Sequence, residues 1–158
     1  MADMRTITAL CAAAERHANA DGQTDPGAEH FMLAALELPD GTAHNAFRRL
    51  GADSTRFRDA VAQQYSDALE TIGLRAVIPP PSPVGRNPGL YHARASAEIL
   101  VKQLSAWPRA SAKERLTGAH VIAVAAAGKQ GVAVRALRSM GVDLVALGDA
   151  ARAEISAM

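Results

Sequence analysis

The chain has 158 residues, 17 of them basic and 16 acidic, a net charge of +1, and a single cysteine, Cys11. These numbers exclude an intramolecular disulfide, fit a reducing compartment, and argue against a dedicated nucleic-acid binder, which shows a strong basic excess. Alanine supplies 35 residues and aromatics only 4%, a composition that favours helix over strand and predicts an all-α fold. Charge is uneven along the chain. Residues 1–75 hold 7 basic and 11 acidic side chains, net −4, and residues 76–158 hold 10 and 5, net +5.

In chain order, Ile7, Leu10, Cys11 and Ala14 mark one face of a first helix running to about Ala20, stopped by Asp21-Gly22. A cysteine in that stripe is expected to be buried and inert. Asp25-Pro26 predicts the start of a second helix, with Asp25 as N-cap and Pro26 at the first helical position. Phe31, Met32, Ala35 and Leu36 form its apolar stripe, and Pro39-Asp40-Gly41 ends it. A third helix spans about Thr42 to Leu50, followed by Gly51 as a left-handed cap. Asp53 or Ser54 caps a fourth, which buries Phe57, Val61 and Tyr65. Residues 77–89 hold five prolines, which excludes a helix and predicts an extended connector. Beyond it a fifth helix covers about Ala93 to Ala106 and breaks at Trp107-Pro108. A sixth follows Thr117 as N-cap, a seventh spans about Gly131 to Met140 with Gly141 as its cap, and Asp143 caps an eighth.

The two halves repeat. A shift of 90 residues aligns Gly27–Val61 with Thr117–Ala151 without a gap, and ten of those 35 positions are identical. Among them are His30/His120, Gly41/Gly131, Arg48/Arg138, Gly51/Gly141, Asp53/Asp143 and Asp59/Asp149. The sequence therefore predicts two tandem pseudo-symmetric four-helix repeats, at 5–69 and 93–156, joined by a proline-rich linker at 70–92 and packed into one domain.

The usual catalytic signatures do not occur. Gly128-Lys129-Gln130 lacks the upstream glycine and the hydroxyl of a phosphate loop, and there is neither a GxGxxG element nor a GxSxG elbow. The five histidines form no HExxH or CxxC-associated cluster, so no metal or other cofactor is expected. Glu29 and His30 are sequence neighbours and should point about 100° apart on a helix, which argues against an acid–base dyad. The reading is a non-enzyme.

Gly27-Ala28-Glu29-His30-Phe31-Met32-Leu33-Ala34-Ala35-Leu36 resembles the G-T-E-H-L-L-L-A-L-L signature of the Clp N-terminal repeat. Gly41 to Ala52 is similar to the family's D-G-x-A-x-x-x-L-x-x-L-G run. Thr117-Gly118-Ala119-His120 through Asp143 repeats both, so the resemblance covers roughly residues 5 to 156. It implies the N-domain of ClpA-, ClpB- and ClpC-type unfoldases, here as a stand-alone protein; independently, the lack of a targeting segment, the shortness of the apolar run Val121–Ala127 and the balanced charge predict a cytoplasmic protein with no membrane and no nucleic-acid partner. It implies a binding module that modulates Clp chaperone-protease activity through adaptors, degrons, substrates or Clp ATPase subunits, using the groove between repeats. The alternative it implies is sequestration of Clp-targeting cyclic-peptide antibiotics.

In ClpC-type domains the signature glutamate of each repeat helps hold the guanidinium of phosphoarginine. The resemblance therefore makes Glu29 the candidate ligand-binding residue, with Ala28, His30, Ala119, His120 and Tyr91 around the two equivalent positions. Ala119 replaces the second glutamate, and Ala28 and Gly118 replace the threonines, so one site is dismantled and the other weakened. Glu29 can alternatively serve as an exposed first-turn carboxylate favoured by the helix dipole. Glu29→Ala is expected to leave the fold nearly intact, as at an exposed site, and an unfolded variant would make Glu29 structural and not a ligand-binding residue. His30 and His120 are expected to fix the packing between helices.

Overall fold

A computed structural model describes residues 2–71, 94–111 and 113–158. Within them lie eight α-helices and no strand: α1 Ala2–Ala20, α2 Ala28–Leu36, α3 Thr42–Arg49, α4 Arg56–Thr71, α5 Ala95–Ser105, α6 Gly118–Ala126, α7 Val132–Ser139 and α8 Leu144–Ser156. Tyr91 and nearly all of the proline-rich stretch fall outside the described residues.

The two most apolar helices form the centre. Every residue from Glu29 to Ala35 in α2 and from Gly118 to Ala126 in α6 is buried. A helix that is apolar all round must be enclosed on every side. Here α2 and α6 pack against each other, with α1 laid along α2 and α8 along α6. The run Val121–Ala127, too short for a membrane, is thus mostly a core helix. No helix among the described residues is long and apolar enough to cross a membrane.

The outer helices cross between the halves. α3 packs on α8 and α4 on α7, and α5 touches both central helices. Phe31, Phe47 and Phe57 are fully buried, with the Phe47 and Phe57 rings 6.2 Å apart. Alanines such as Ala35, Ala43, Ala46, Ala133 and Ala136 separate these large groups and let the helix backbones approach closely.

Most helix ends follow the sequence. Thr117 and Asp143 are N-caps, and the Asp143 carboxylate accepts the Ala146 N–H at 3.1 Å. Gly51 and Gly141 adopt φ of 66° and 73°, the left-handed conformation that ends α3 and α7. Tyr65 and Cys11 are only partly buried, both packed against the core. The start of α2 differs from the expectation. Its N-cap is Gly27, in extended conformation, not Asp25. The imidazole of His30 accepts the Gly27 N–H at 3.0 Å, reaching back from the third helical position to the cap residue as in a capping box. The Pro26 carbonyl is left to accept the Arg94 N–H at 3.0 Å.

Candidate functional site

The start of α2 gathers a polar cluster from four parts of the chain. Glu29, in its first turn, is 2% exposed. Its Oε1 accepts from the Tyr65 hydroxyl of α4 and from the guanidinium of Arg94, the residue that precedes α5. Arg94 Nη2 also donates to the Tyr65 oxygen at 2.7 Å, and its guanidinium carbon lies 5.9 Å from the Tyr65 ring centre. The Tyr65 ring in turn stacks on His30 at 6.0 Å. Gly27 is small for a reason: a Cβ there would collide with both Arg94 and Glu29.

A second ionic pair lies behind the first. His30 Nδ1 accepts from Gly27, so Nε2 carries the hydrogen and donates to Asp21 at 2.9 Å. Asp21 also pairs with Arg58 of α4 at 3.2 Å. Electrostatics follow the geometry. Burial, followed by the bond to Glu29, pushes the Tyr65 phenol well above its usual range. Burial also works against the Arg94 charge, but Glu29 and the Tyr65 oxygen outweigh it and hold the guanidinium above its ordinary value. The Arg94 Nε–H is buried and has no hydrogen-bond partner among the described residues.

This corrects two expectations. Glu29 is a buried, doubly bonded carboxylate, not an exposed first-turn residue. Nor do Glu29 and His30 diverge: their Oε1 and Nδ1 are 3.6 Å apart, because the carboxylate bends back to Arg94. Both atoms are acceptors there, so the pair passes no proton.

The equivalent start of α6 is built from small residues. His120 Nδ1 accepts the Thr117 N–H at 3.1 Å and lies 2.9 Å from its hydroxyl oxygen, repeating the His30 arrangement. Trp107 sits edge-on to His120 at 5.2 Å. Burial lowers the His120 pKa, with Glu114 at 3.5 Å opposing. In place of a charged cluster, the first half supplies the caps. The Ala119 N–H donates to Thr42 Oγ1 at 2.8 Å and the Gly118 N–H to Asp40 at 3.2 Å. A Cβ at Gly118 would lie 2.9 Å from the Ala35 carbonyl oxygen and 2.9 Å from Ala43 Cβ. The seam between the halves is therefore closed there. Of the sequence candidates, Glu29 and His30 stand together at one end of the seam and Ala119 and His120 at the other. All four are buried, and Ala28 is half-buried, its N–H 3.2 Å from Ser96 Oγ. Tyr91 lies outside the described residues. Arg94 and Tyr65 were missed as partners of Glu29. An arginine directly before a helix, where Ser, Thr, Asn or Asp is usual, was the available signal.

Residues 5–88 match the family model of the Clp repeat N-terminal domain. The chain belongs to that family. Clp repeat N-terminal domains are helical, and their general role is protein interaction without catalysis of their own. A search of curated proteins found no match. The matched Clp segment contains most of α1, all of α2 to α4 and the whole of the Glu29 side of the cluster, and stops before Arg94.

Proposed function

We propose that this domain is a non-catalytic receptor for protein or peptide partners of a Clp machine, and that Glu29 is where it reads a guanidinium. The observation that carries the reading is Arg94. A buried carboxylate and a phenol oxygen already take one guanidinium group, supplied by the chain itself. Planar guanidinium on carboxylate is a strong, shape-specific pairing, so a site that holds Arg94 has the chemistry to hold a ligand's arginine or phosphoarginine. Such a ligand must displace Arg94, whose Nε–H has no hydrogen-bond partner among the described residues. The second half offers no matching carboxylate, since Ala119 stands at that position.

Calorimetric titration with phosphoarginine tests this. Weak binding to the unaltered protein, tightened by Arg94→Ala and lost in Glu29→Gln, is the expected pattern, with circular dichroism confirming that each variant folds. Folded Arg94→Ala protein that gives no heat would overturn the guanidinium reading. Pull-downs that enrich no Clp subunit, adaptor or substrate would overturn the Clp-partner reading. The alternative, sequestration of cyclic-peptide antibiotics, has Met4 as its apolar handle, 72% exposed near the start of α1. Titration with a Clp-targeting cyclic peptide distinguishes it.

A further inference from the structure

In the second half, α6, α7 and α8 line an open groove of about 370 Å³. Ala126 and Gly148 form its floor, Val145 one wall, and Lys129, Arg138 and Arg152 its charged rim. Val145, Gly148 and Arg152 fall at i, i+3 and i+7 of α8, one continuous face.

Gly148 is the informative residue. A glycine inside a helix costs about 1 kcal/mol relative to alanine. Here packing does not require it, since a Cβ would meet nothing closer than 3.5 Å, at Arg152 Nη1, then 3.7 Å at Ala126 Cβ. Its effect is to keep the groove floor open. The position 90 residues earlier is Arg58, which reaches across to Asp21, so the corresponding place in the first half holds an ion pair. Beside the open floor, Val145 is 74% exposed, an apolar side chain presented to solvent.

The rim is cationic and largely unneutralised. Among the described residues Lys129 and Arg138 are exposed and form no ion pair. Arg152 has Asp149 at 3.4 Å, but both side chains are more than half exposed, and such a surface pair is weak. Three positive groups around a small apolar floor complement a segment that carries carboxylates on either side of a small aliphatic side chain. A nucleic-acid backbone would need a longer basic track and stacking aromatics, which the lining does not include.

We propose that this groove docks an acidic peptide segment of a partner protein. An alanine or valine of the partner sits over Gly148, and its flanking Asp or Glu carboxylates meet Lys129, Arg138 and Arg152. The site is separate from the Glu29 cluster and does not depend on it.

The test uses the whole chain and a short labelled peptide in which glutamate alternates with alanine and valine, read by fluorescence anisotropy at low salt. Binding is expected to weaken with added salt, and about tenfold with Arg138→Glu or Arg152→Glu. Gly148→Leu should plug the floor and abolish binding, while Gly148→Ala, which melts at or above the temperature of the unaltered protein, reports that a side chain is tolerated there. Glu29→Gln should leave this binding unchanged. Equal binding of a peptide with lysine in place of glutamate would overturn the proposal. So would full affinity in folded Gly148→Leu or Arg138→Glu protein, or tighter binding of a single-stranded oligonucleotide than of the peptide.

Discussion

The starts of α2 and α6 occupy equivalent places in the two halves and solve the same problem with opposite chemistry. Each must satisfy the N–H groups of a short helix buried on all sides. Both use a histidine at the third helical position to accept the cap residue's N–H. The α2 end then adds buried charge: Glu29, Arg94, Asp21 and Arg58. The α6 end removes bulk instead, so that Gly118 and Ala119 come within reach of Asp40 and Thr42. A buried carboxylate needs partners, and Tyr65 and Arg94 supply them. An alanine needs only close packing, and the same place became a filled seam.

The comparison can be broken most decisively at Glu29. Glu29→Gln leaves a half-buried guanidinium without its counter-charge and should cost about 3 kcal/mol, the low end for a broken buried pair because Arg94 keeps some access to water. Urea unfolding measures it, and combining the change with Arg94→Gln should cost less than the two single losses added together. Next in size, Gly118→Ala should cost about 2 kcal/mol, because its Cβ presses on a backbone carbonyl that cannot yield. The same substitution at Gly148 should be neutral or stabilising. Thr42→Val keeps the shape but deprives the buried Ala119 N–H of its acceptor, for an expected loss of about 1.5 kcal/mol.

The smallest effect is a pH slope. The His120 pKa is lower in the folded chain than the ~6.5 of an unfolded histidine. The unfolded state therefore binds more protons, so this contribution to stability is complete above about pH 6.5 and is lost as pH falls from there through the lowered folded value. His120→Gln retains an acceptor at the capping position and should flatten that decline in Tm. His17, also lowered by burial, keeps a remainder.

What the sequence disclosed was the local chemistry. Gly51, Gly141, Thr117 and Asp143 each carry their instruction in their own backbone preference or side-chain reach, and each acts where it was expected. The start of α2 was misplaced because Asp25-Pro26 is a strong start signal by itself. The competing cap, His30, works backwards from three residues inside the helix. The candidate site was less legible still. Glu29 was identified through a family motif, but its partners stand 36 and 65 residues away, and no periodicity links such positions. The burial that turned Glu29 from a surface carboxylate into an ion-pair centre is a property of the packed halves, not of the motif. By the family motif Gly118 is only a missing threonine. The structure gives it a positive role, as the point where a helix start meets the Ala35 carbonyl and Ala43 of the other half.

The helix ends are exchanged across the seam. Asp40 and Thr42 finish α6, Arg94 and Ser96 finish α2, and Asp3 of α1 accepts the N–H of Leu116 just ahead of α6. A half produced alone would lack the groups that complete its central helix and would expose that helix's apolar flank. The two halves are therefore not exchangeable: Gln130, Val132 and Met4 stand 90 residues from Asp40, Thr42 and Arg94, and a second copy of either half would not supply the missing partners.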